Sequence, residues 1–237
     1  MPQSPVLITG GAQRLGRYCA ERLLRDGIPV IITYRRERAA VKALREQGAI
    51  ALSADFSSEQ GIHDFIAALR SCTPVLRAII HNASLWQPDH ADTSMAMDIE
   101  HMFRVHMLAP WLINTHCHDL LEASPELLAD IIHITDYAAS HGSRRHSAYA
   151  ATKAGLENMV YSFAARLAPT IKVNALAPAA ITLNEGDDAA YIQSLKEKSV
   201  LDVLPGPAEV WEGIRYLLDA RFVTGTVLPI DGGRQVK

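Results

Sequence analysis

Cysteine is scarce and isolated in this chain: Cys19, Cys72 and Cys117 are three thiols in 237 residues, odd in number, with no C-x-x-C spacing. That excludes a disulfide framework and reads as reduced thiols of a cytoplasmic protein. No apolar run reaches the roughly 18 residues needed to span a bilayer. The N-terminal stretch MPQSPVLITG runs straight into a strand pattern, without the basic start, long apolar region and small-residue cleavage site of a signal peptide. The reading is a soluble protein with no membrane partner. An excess of positive charge is missing too, since 23 Lys and Arg stand against 26 Asp and Glu. A net charge of -3 gives no basic field for duplex or RNA, so no nucleic-acid partner is expected. Internal repeats, low-complexity segments and linkers are absent. One domain over 1–237 is expected, because this length with 49% hydrophobic residues can bury a full core.

What is present is alternation. Short runs rich in Val and Ile at 5–9, 29–34, 50–54, 76–81, 130–135, 171–175 and 226–229 lack a period of two, which suits parallel strands covered on both faces. Between them lie stretches with apolar residues at i, i+3 and i+4, some closed by Gly27 or Gly48. The pattern β-α repeated implies an α/β fold, a single doubly wound domain of Rossmann type with a seven-stranded parallel sheet. One region, 177–207, is irregular, and a substrate lid is expected around 180–206. Ligands of such sheets bind at the carboxyl ends of the strands, so the residues that follow strands carry the information.

After the first strand comes TGGAQRLG, Thr9 to Gly16. Gly10 and Gly16 allow a tight turn that brings a helix N-terminus, Arg14 and Leu15 included, up to a pyrophosphate. Arg14 occupies the place where such turns usually carry their middle glycine. After the second strand, Tyr34-Arg35-Arg36 stands where an acid would meet a free ribose, and two guanidiniums suit a 2′-phosphate instead. NADP is favoured over NAD. Asp55 and Phe56 follow the third strand, where the Asp can meet an adenine edge or cap the next helix. The fourth strand ends in His81-Asn82-Ala83-Ser84-Leu85-Trp86 and the fifth in Thr135-Asp136-Tyr137.

Tyr149 and Lys153 are four apart and share a helix face. An ammonium about 4 Å from a phenol, at an effective dielectric near 20, favours the phenolate by roughly 4 kcal/mol. That lowers a phenol pKa by up to about 3 units where desolvation does not oppose it, and such a Tyr exchanges a proton near pH 7. A carboxylate at Asp136 repels a developing alkoxide and so argues against ketone substrates. His116 and His118, two apart on a helix, point apart, and no metal is expected.

Thr9–Gly16, His81–Ser84, Tyr149 with Lys153, the NALAP of Asn174–Pro178 and the TGTVLPIDGG of Thr224–Gly233 occur in an order and spacing that resembles the short-chain dehydrogenase/reductase family over essentially the whole chain. Arg14 for the middle glycine, HNASLW for the usual NNAG and Asp136 at the place of the usual catalytic Ser resemble its pteridine reductase branch. The resemblance implies an NADPH-dependent reductase that sends hydride to C6 of a 7,8-dihydropterin, 7,8-dihydromonapterin foremost and dihydrofolate more weakly. It implies Tyr149, Lys153 and Asp136 as catalytic residues. Gly10, Arg14, Leu15, Gly16, Tyr34, Arg35, Arg36, Asp55, Phe56, Asn82, Ala83, Ser84, Tyr149, Lys153 and Pro178 would bind NADPH. Arg14, Trp86, Asp136 and Tyr149 would hold the pterin, Trp86 by stacking worth roughly 1 to 3 kcal/mol. His106 stands where the family usually has Asn. A homotetramer packed through the fourth and fifth helices is also implied. Two rivals remain: a reductase of another carbonyl such as a 3-oxoacyl thioester, and a non-catalytic NADP-binding redox sensor.

Overall fold

The computed structural model describes residues 4–179, 189–201, 203 and 205–237. Within them, strands β1 Val6–Ile8, β2 Val30–Tyr34, β3 Ile50–Ser53, β4 Ala78–His81, β5 Ala129–Ile134, β6 Ile171–Pro178 and β7 Val227–Ile230 pair in parallel throughout. Their order in the sheet is β3-β2-β1-β4-β5-β6-β7. The chain therefore reverses its direction of winding between β1 and β4, which opens a crevice at their carboxyl ends. This is the doubly wound α/β sheet expected from the alternation. β6 runs three residues beyond the expected end at 175, because Pro178 sits at the strand end and pairs with Ile230 of β7.

Successive strand residues face opposite sides of the sheet, so each face acquires its own core. On one side Leu7, Ile79, Ile131 and Val173 pack against α3 Glu59–Cys72, α5 Ala109–Glu122 and α7 Ser147–Leu167. On the other, Val6, Ile8, Ile32 and Ile80 pack against α1 Arg14–Arg25, α2 Ala39–Glu46 and α9 Pro207–Asp219. α4 Met95–Phe103 runs into α5 through a π-helical turn, Arg104–Leu108, and two short helices, α6 Ala138–His141 and α8 Ala189–Glu197, flank the carboxyl ends of β5 and β6. At the amino ends of β4, β5 and β6 the fully buried Asp130 meets Arg77 at 2.6 Å and Lys172 at 2.9 Å. Arg77 also donates to Leu218 O and Lys172 to Leu217 O, which fixes the end of α9 to the strand origins. Among the described residues no helix is long and apolar enough to cross a membrane.

Candidate active site

A cleft of about 1090 Å³ lies along the carboxyl ends of the strands. Gly10, Arg14, Leu15, Tyr34, Arg35, Arg36, Asp55, Phe56, Asn82, Ala83, Ser84, Trp86, Asp136, Tyr149, Lys153 and Pro178 all line it. Gly16 does not. A Cβ there would sit 2.5 Å from Asn82 Nδ2 and 2.5 Å from Gly10 O, so this glycine lets α1 dock on the turn rather than forming the cleft wall. Gly10 has φ +65, and a Cβ on it would come within 3.0 Å of Ala83 Cα. Thr9 Oγ1 accepts the N–H groups of Asn82 and Ala83, each at 3.0 Å, and Asn82 Nδ2 donates to Thr9 O and Gly10 O. The side chain of Asn82 thus holds the β1 turn in shape.

Arg14 has φ +49, the only non-glycine residue in the left-handed region among the described residues. Such a conformation costs an L residue about 1 to 2 kcal/mol. Gln13, at the N-cap, makes no side-chain cap, and the first turn of α1 holds no acid. Gln13 and Arg14 both line the cleft, so this helix begins at its wall, in contrast with α3, where Ser58 Oγ accepts from Gly61 N–H as an N-cap. Past the end of β2, Arg35, Arg36 and Arg38 line one bank. The Tyr34 hydroxyl accepts from Arg45 at 3.0 Å. Asp55 Oδ1 accepts the N–H and hydroxyl of Ser57, hydrogen bonds that hold its carboxyl below the usual range. Phe56 is mostly core, edge-on to Phe65.

Tyr149 and Lys153 lie on one face of α7 and are both buried. Tyr149 Oη donates to Asp136 Oδ2 at 3.0 Å, and Asp136 Oδ1 accepts the Ala138 N–H at 2.8 Å. The expected descent of the phenol pKa towards neutrality does not occur. Burial, and then the charge of Asp136 and its hydrogen bond, push the phenol well above 10, with Ser84 acting the other way. Lys153 Nζ instead lies 5.7 Å from the ring centroid and donates to Ile134 O at 2.8 Å. Burial lowers its own pKa to about 8, against the pull of Asp136 and Glu157.

His106, in the π turn, is buried and kept neutral by desolvation and then by Lys153. Its Nε2 accepts the Leu85 N–H at 3.1 Å and meets Ser84 Oγ at 3.0 Å, which leaves the ring proton on Nδ1, 2.8 Å from Thr152 Oγ1. Thr152 Oγ1 donates in turn to Tyr149 O. His106 therefore ties the Ser84–Trp86 stretch to the helix that carries Tyr149.

Trp86 is 61% exposed and lies at the cleft wall, its indole stacked on the His146 ring at 4.3 Å and 29°. Asp89 fixes that wall to α7, accepting the Ser147 N–H at 2.6 Å and donating its own N–H to Arg145 O at 2.8 Å. Tyr137 also lines the cleft, its ring stacked on His141 at 4.1 Å and 4.5 Å from the Arg234 guanidinium.

A family model described as "Enoyl-(Acyl carrier protein) reductase" matches residues 10–235. The chain belongs to the short-chain dehydrogenase/reductase family. It is similar to dihydromonapterin reductase of Klebsiella pneumoniae, 46% identical over 98% of this chain and 97% of that protein. Against dihydromonapterin reductase of Escherichia coli the identity is 43% over the same shares. Among solved structures it resembles FolM alternative dihydrofolate reductase 1 of Brucella canis complexed with NADP, 26% identical with a TM-score of 0.86, covering 100% of this chain and 95% of that one. It also resembles the Pseudomonas aeruginosa RhlG/NADP active-site complex, 25% identical with a TM-score of 0.87, covering 98% and 96%.

Several residues of this short-chain reductase cleft escape sequence reasoning: Arg38, Tyr137, Arg145, His146, Lys198 and Arg234. Tyr137 and Arg234 follow β5 and β7, so the rule that ligand-facing residues follow strands would have found them. Arg145 and His146 immediately precede α7, whose N-terminus points the same way. Lys198, after α8, carries no sequence signal. Of the lid expected around 180–206, residues 180–188, 202 and 204 lie outside the described residues, and from the rest Leu195 and Lys198 line the cleft.

Proposed function

We propose that this enzyme uses NADPH to reduce a 7,8-dihydropterin, 7,8-dihydromonapterin foremost, to the tetrahydro form, with dihydrofolate a weaker substrate. The observation that carries this reading is the hydrogen bond from Tyr149 to Asp136, a carboxylate in the cleft beside the buried Lys153. The relatives named dihydromonapterin reductase and the NADP complexes of the structural neighbours support it.

The donor set fits the cofactor. The N-terminus of α1, where Gln13 makes no side-chain cap, and Arg14 suit a pyrophosphate, Gly10 admits close approach, and Arg35 with Arg36 suits a 2′-phosphate. When bound, NADPH supplies the hydride that reaches C6. Lys153 would hold the nicotinamide ribose, and Asn82, Ala83, Ser84 and Pro178, which line the cleft around it, would bind the nicotinamide end of the cofactor. Tyr149 keeps its proton at neutral pH because of its burial and then of Asp136, and delivers it to the ring nitrogen adjacent to C6. Asp136 accepts hydrogen bonds only, so it selects a substrate with N–H and amino donors over a ketone. Trp86, backed by His146, offers a flat apolar face to the pterin. His106 keeps Ser84 and Tyr149 in register.

The molecule acts as a single cytoplasmic domain, with the stretch around 180–206 as a substrate lid. It assembles as a homotetramer through α4 and α5, supported by the exposed Ile99, Phe103 and Trp111 on that stretch. NADPH oxidation followed by absorbance, with 7,8-dihydromonapterin, 7,8-dihydrobiopterin, 7,8-dihydrofolate and an acetoacetyl thioester in turn, tests the reading. Turnover of the thioester without turnover of any pterin would overturn it.

A further inference from the structure

We propose that Arg45 is a specificity-determining residue for the cofactor: it holds Glu37 away from the arginines that meet the 2′-phosphate, and so keeps the enzyme selective for NADPH over NADH. The proposal rests on the reading of Arg35 and Arg36 as phosphate ligands and deepens it. Between the end of β2 and the start of α2 the chain reads Arg35-Arg36-Glu37-Arg38. The three arginines line the cleft, and Glu37 does not. An acid just past the second strand is what a doubly wound sheet offers to a free ribose, and the same acid repels a 2′-phosphate. Selectivity for NADPH therefore depends on where the Glu37 carboxylate is kept.

Arg45, in the last turn of α2, keeps it outside the cleft. Its Nη1 donates to Glu37 Oε1 at 2.7 Å and its Nη2 to Tyr34 Oη at 3.0 Å, while the guanidinium lies 5.3 Å from the centroid of the Tyr34 ring. The fold fixes both supports of this bridge. Tyr34 is the last residue of β2, in register with Ser53 of β3, and its carbonyl accepts the Ala54 N–H at 2.9 Å. α2 is seated by the buried Val41 and Leu44, which sets the position of Arg45 relative to the strand. Asp55, which follows the neighbouring strand β3, is engaged by the N–H and hydroxyl of Ser57. Glu37 and Asp55 are thus both held by donors other than the three arginines. An ion pair whose side chains are 42% and 55% exposed adds little to stability. Its consequence lies in binding instead. Released from Arg45, Glu37 can turn to the guanidiniums on either side of it, where it competes with the phosphate for the same N–H donors and repels its charge. NADH, with a hydroxyl at that position, is indifferent to the repulsion. Arg45 itself does not line the cleft, so it acts on the cofactor through Glu37.

The test compares wild type with Arg45→Met, Glu37→Gln, the two together, and Arg45→Lys. NADPH and NADH are titrated into each protein without substrate, so that turnover plays no part in the result. A competing exposed ion pair shifts an affinity by roughly two- to fivefold and repulsion adds to it, so Arg45→Met should weaken NADPH by about 3- to 20-fold and leave NADH within about twofold. Glu37→Gln removes the acid and should bind NADPH at least as well as wild type. The double variant, with no acid left to restrain, should recover NADPH affinity to within about twofold of wild type, the non-additivity expected of two groups in contact. Arg45→Lys keeps a cation beside Glu37 without the fork to Tyr34, and should keep most of the preference. An undiminished NADPH preference in Arg45→Met, or equal losses for both cofactors, would overturn the proposal. So would a loss that persists in the double variant, since Arg45 would then act through Tyr34 and not through Glu37. A wild-type enzyme that binds NADPH and NADH equally overturns the reading of Arg35 and Arg36 as well.

Discussion

Replacing Arg14 by Gly and by Ala separates two properties that this residue combines. Its φ of +49 puts a side chain where sterics favour none, at a cost of about 1 to 2 kcal/mol for any L residue. Glycine removes that cost but raises the entropy of the unfolded chain, worth about 0.5 to 1 kcal/mol in the opposite direction. Alanine keeps the strain and the lower unfolded entropy. The balance leaves the Gly variant ahead of the Ala variant by about 0.5 to 1 kcal/mol, or roughly 1 to 4 °C in Tm for a chain of this size. In an ordinary helix turn the order is reversed, since Ala exceeds Gly by about 1 kcal/mol. Both variants lose the guanidinium equally. If it contacts the cofactor phosphates, NADPH affinity should fall by about 10- to 100-fold in both, the worth of a charge-assisted hydrogen bond. Thermal unfolding without cofactor and NADPH titration give the two quantities separately. An Ala variant as stable as the Gly variant would refute the strain, and wild-type NADPH affinity in either would refute the phosphate contact.

Tyr149→Phe should bind NADPH normally and lose about 10²- to 10⁴-fold in kcat, because it removes only the proton donor; a variant retaining half of wild-type kcat would remove Tyr149 from the chemistry. Arg35→Glu should weaken NADPH far more than NADH, by about 10- to 100-fold, since only NADPH carries the 2′-phosphate; equal losses for both cofactors would make Arg35 structural. Trp86→Ala should cost about 5- to 150-fold in kcat/KM on dihydromonapterin, with Phe recovering most of it and NADPH affinity steady; Phe as poor as Ala would make the indole a packing group on His146. Acid should destabilise the fold through His81 and His133, buried and stacked at 4.8 Å with pKa values lowered by desolvation, that of His81 to about 4. Their unfolded forms bind protons below pH 6.5 while the folded forms do not, so stability holds above that pH and falls by about 1.4 kcal/mol per unit per group towards pH 4. Urea midpoints at pH 7.5, 6 and 5 should show the loss, and His133→Phe, which removes two ring nitrogens that have no partner among the described residues, should flatten the slope; a midpoint independent of pH would refute this.

The fold was legible because continuous Val and Ile runs separated by helical patterns admit few solutions other than a covered parallel sheet, and strand order then fixes where the crevice opens. The same rule made Asp136, Trp86 and the Arg35–Arg36 pair legible as cleft residues, since each lies in the stretch that follows a strand. What sequence could not supply was the depth of burial. The spacing of Tyr149 and Lys153 is compatible with a lowered phenol pKa at the surface and with a raised one in the core. Desolvation decides between them, and it is a property of α5, α7 and β5 packed together. His106 is a similar case: its identity is visible, but its role depends on a π turn and on the Leu85 N–H, neither of which has a sequence period. Gly16 read as a ligand-facing glycine because close approach to a phosphate and close approach to Asn82 demand the same missing Cβ.

Placing a carboxylate on the hydroxyl of Tyr149 inverts the usual problem of acid catalysis. Burial already holds the phenol above its usual range, and Asp136 raises it further, so Tyr149 carries its proton when substrate arrives. With Asp136 accepting from it, the proton stays on Tyr149 until a stronger base than the carboxylate appears within reach. The ring nitrogen becomes such a base only as hydride reaches the neighbouring carbon, so proton delivery is tied to reduction. A ketone would also become basic on reduction, but its alkoxide would develop next to Asp136 and be repelled by it. A pterin avoids that penalty by turning N–H and amino donors towards the carboxylate. On the proposed reading Asp136 thus adds to burial in keeping the acid protonated and selects for substrates rich in donors, and it is Asp136 rather than Tyr149 that would separate this cleft from that of a carbonyl reductase.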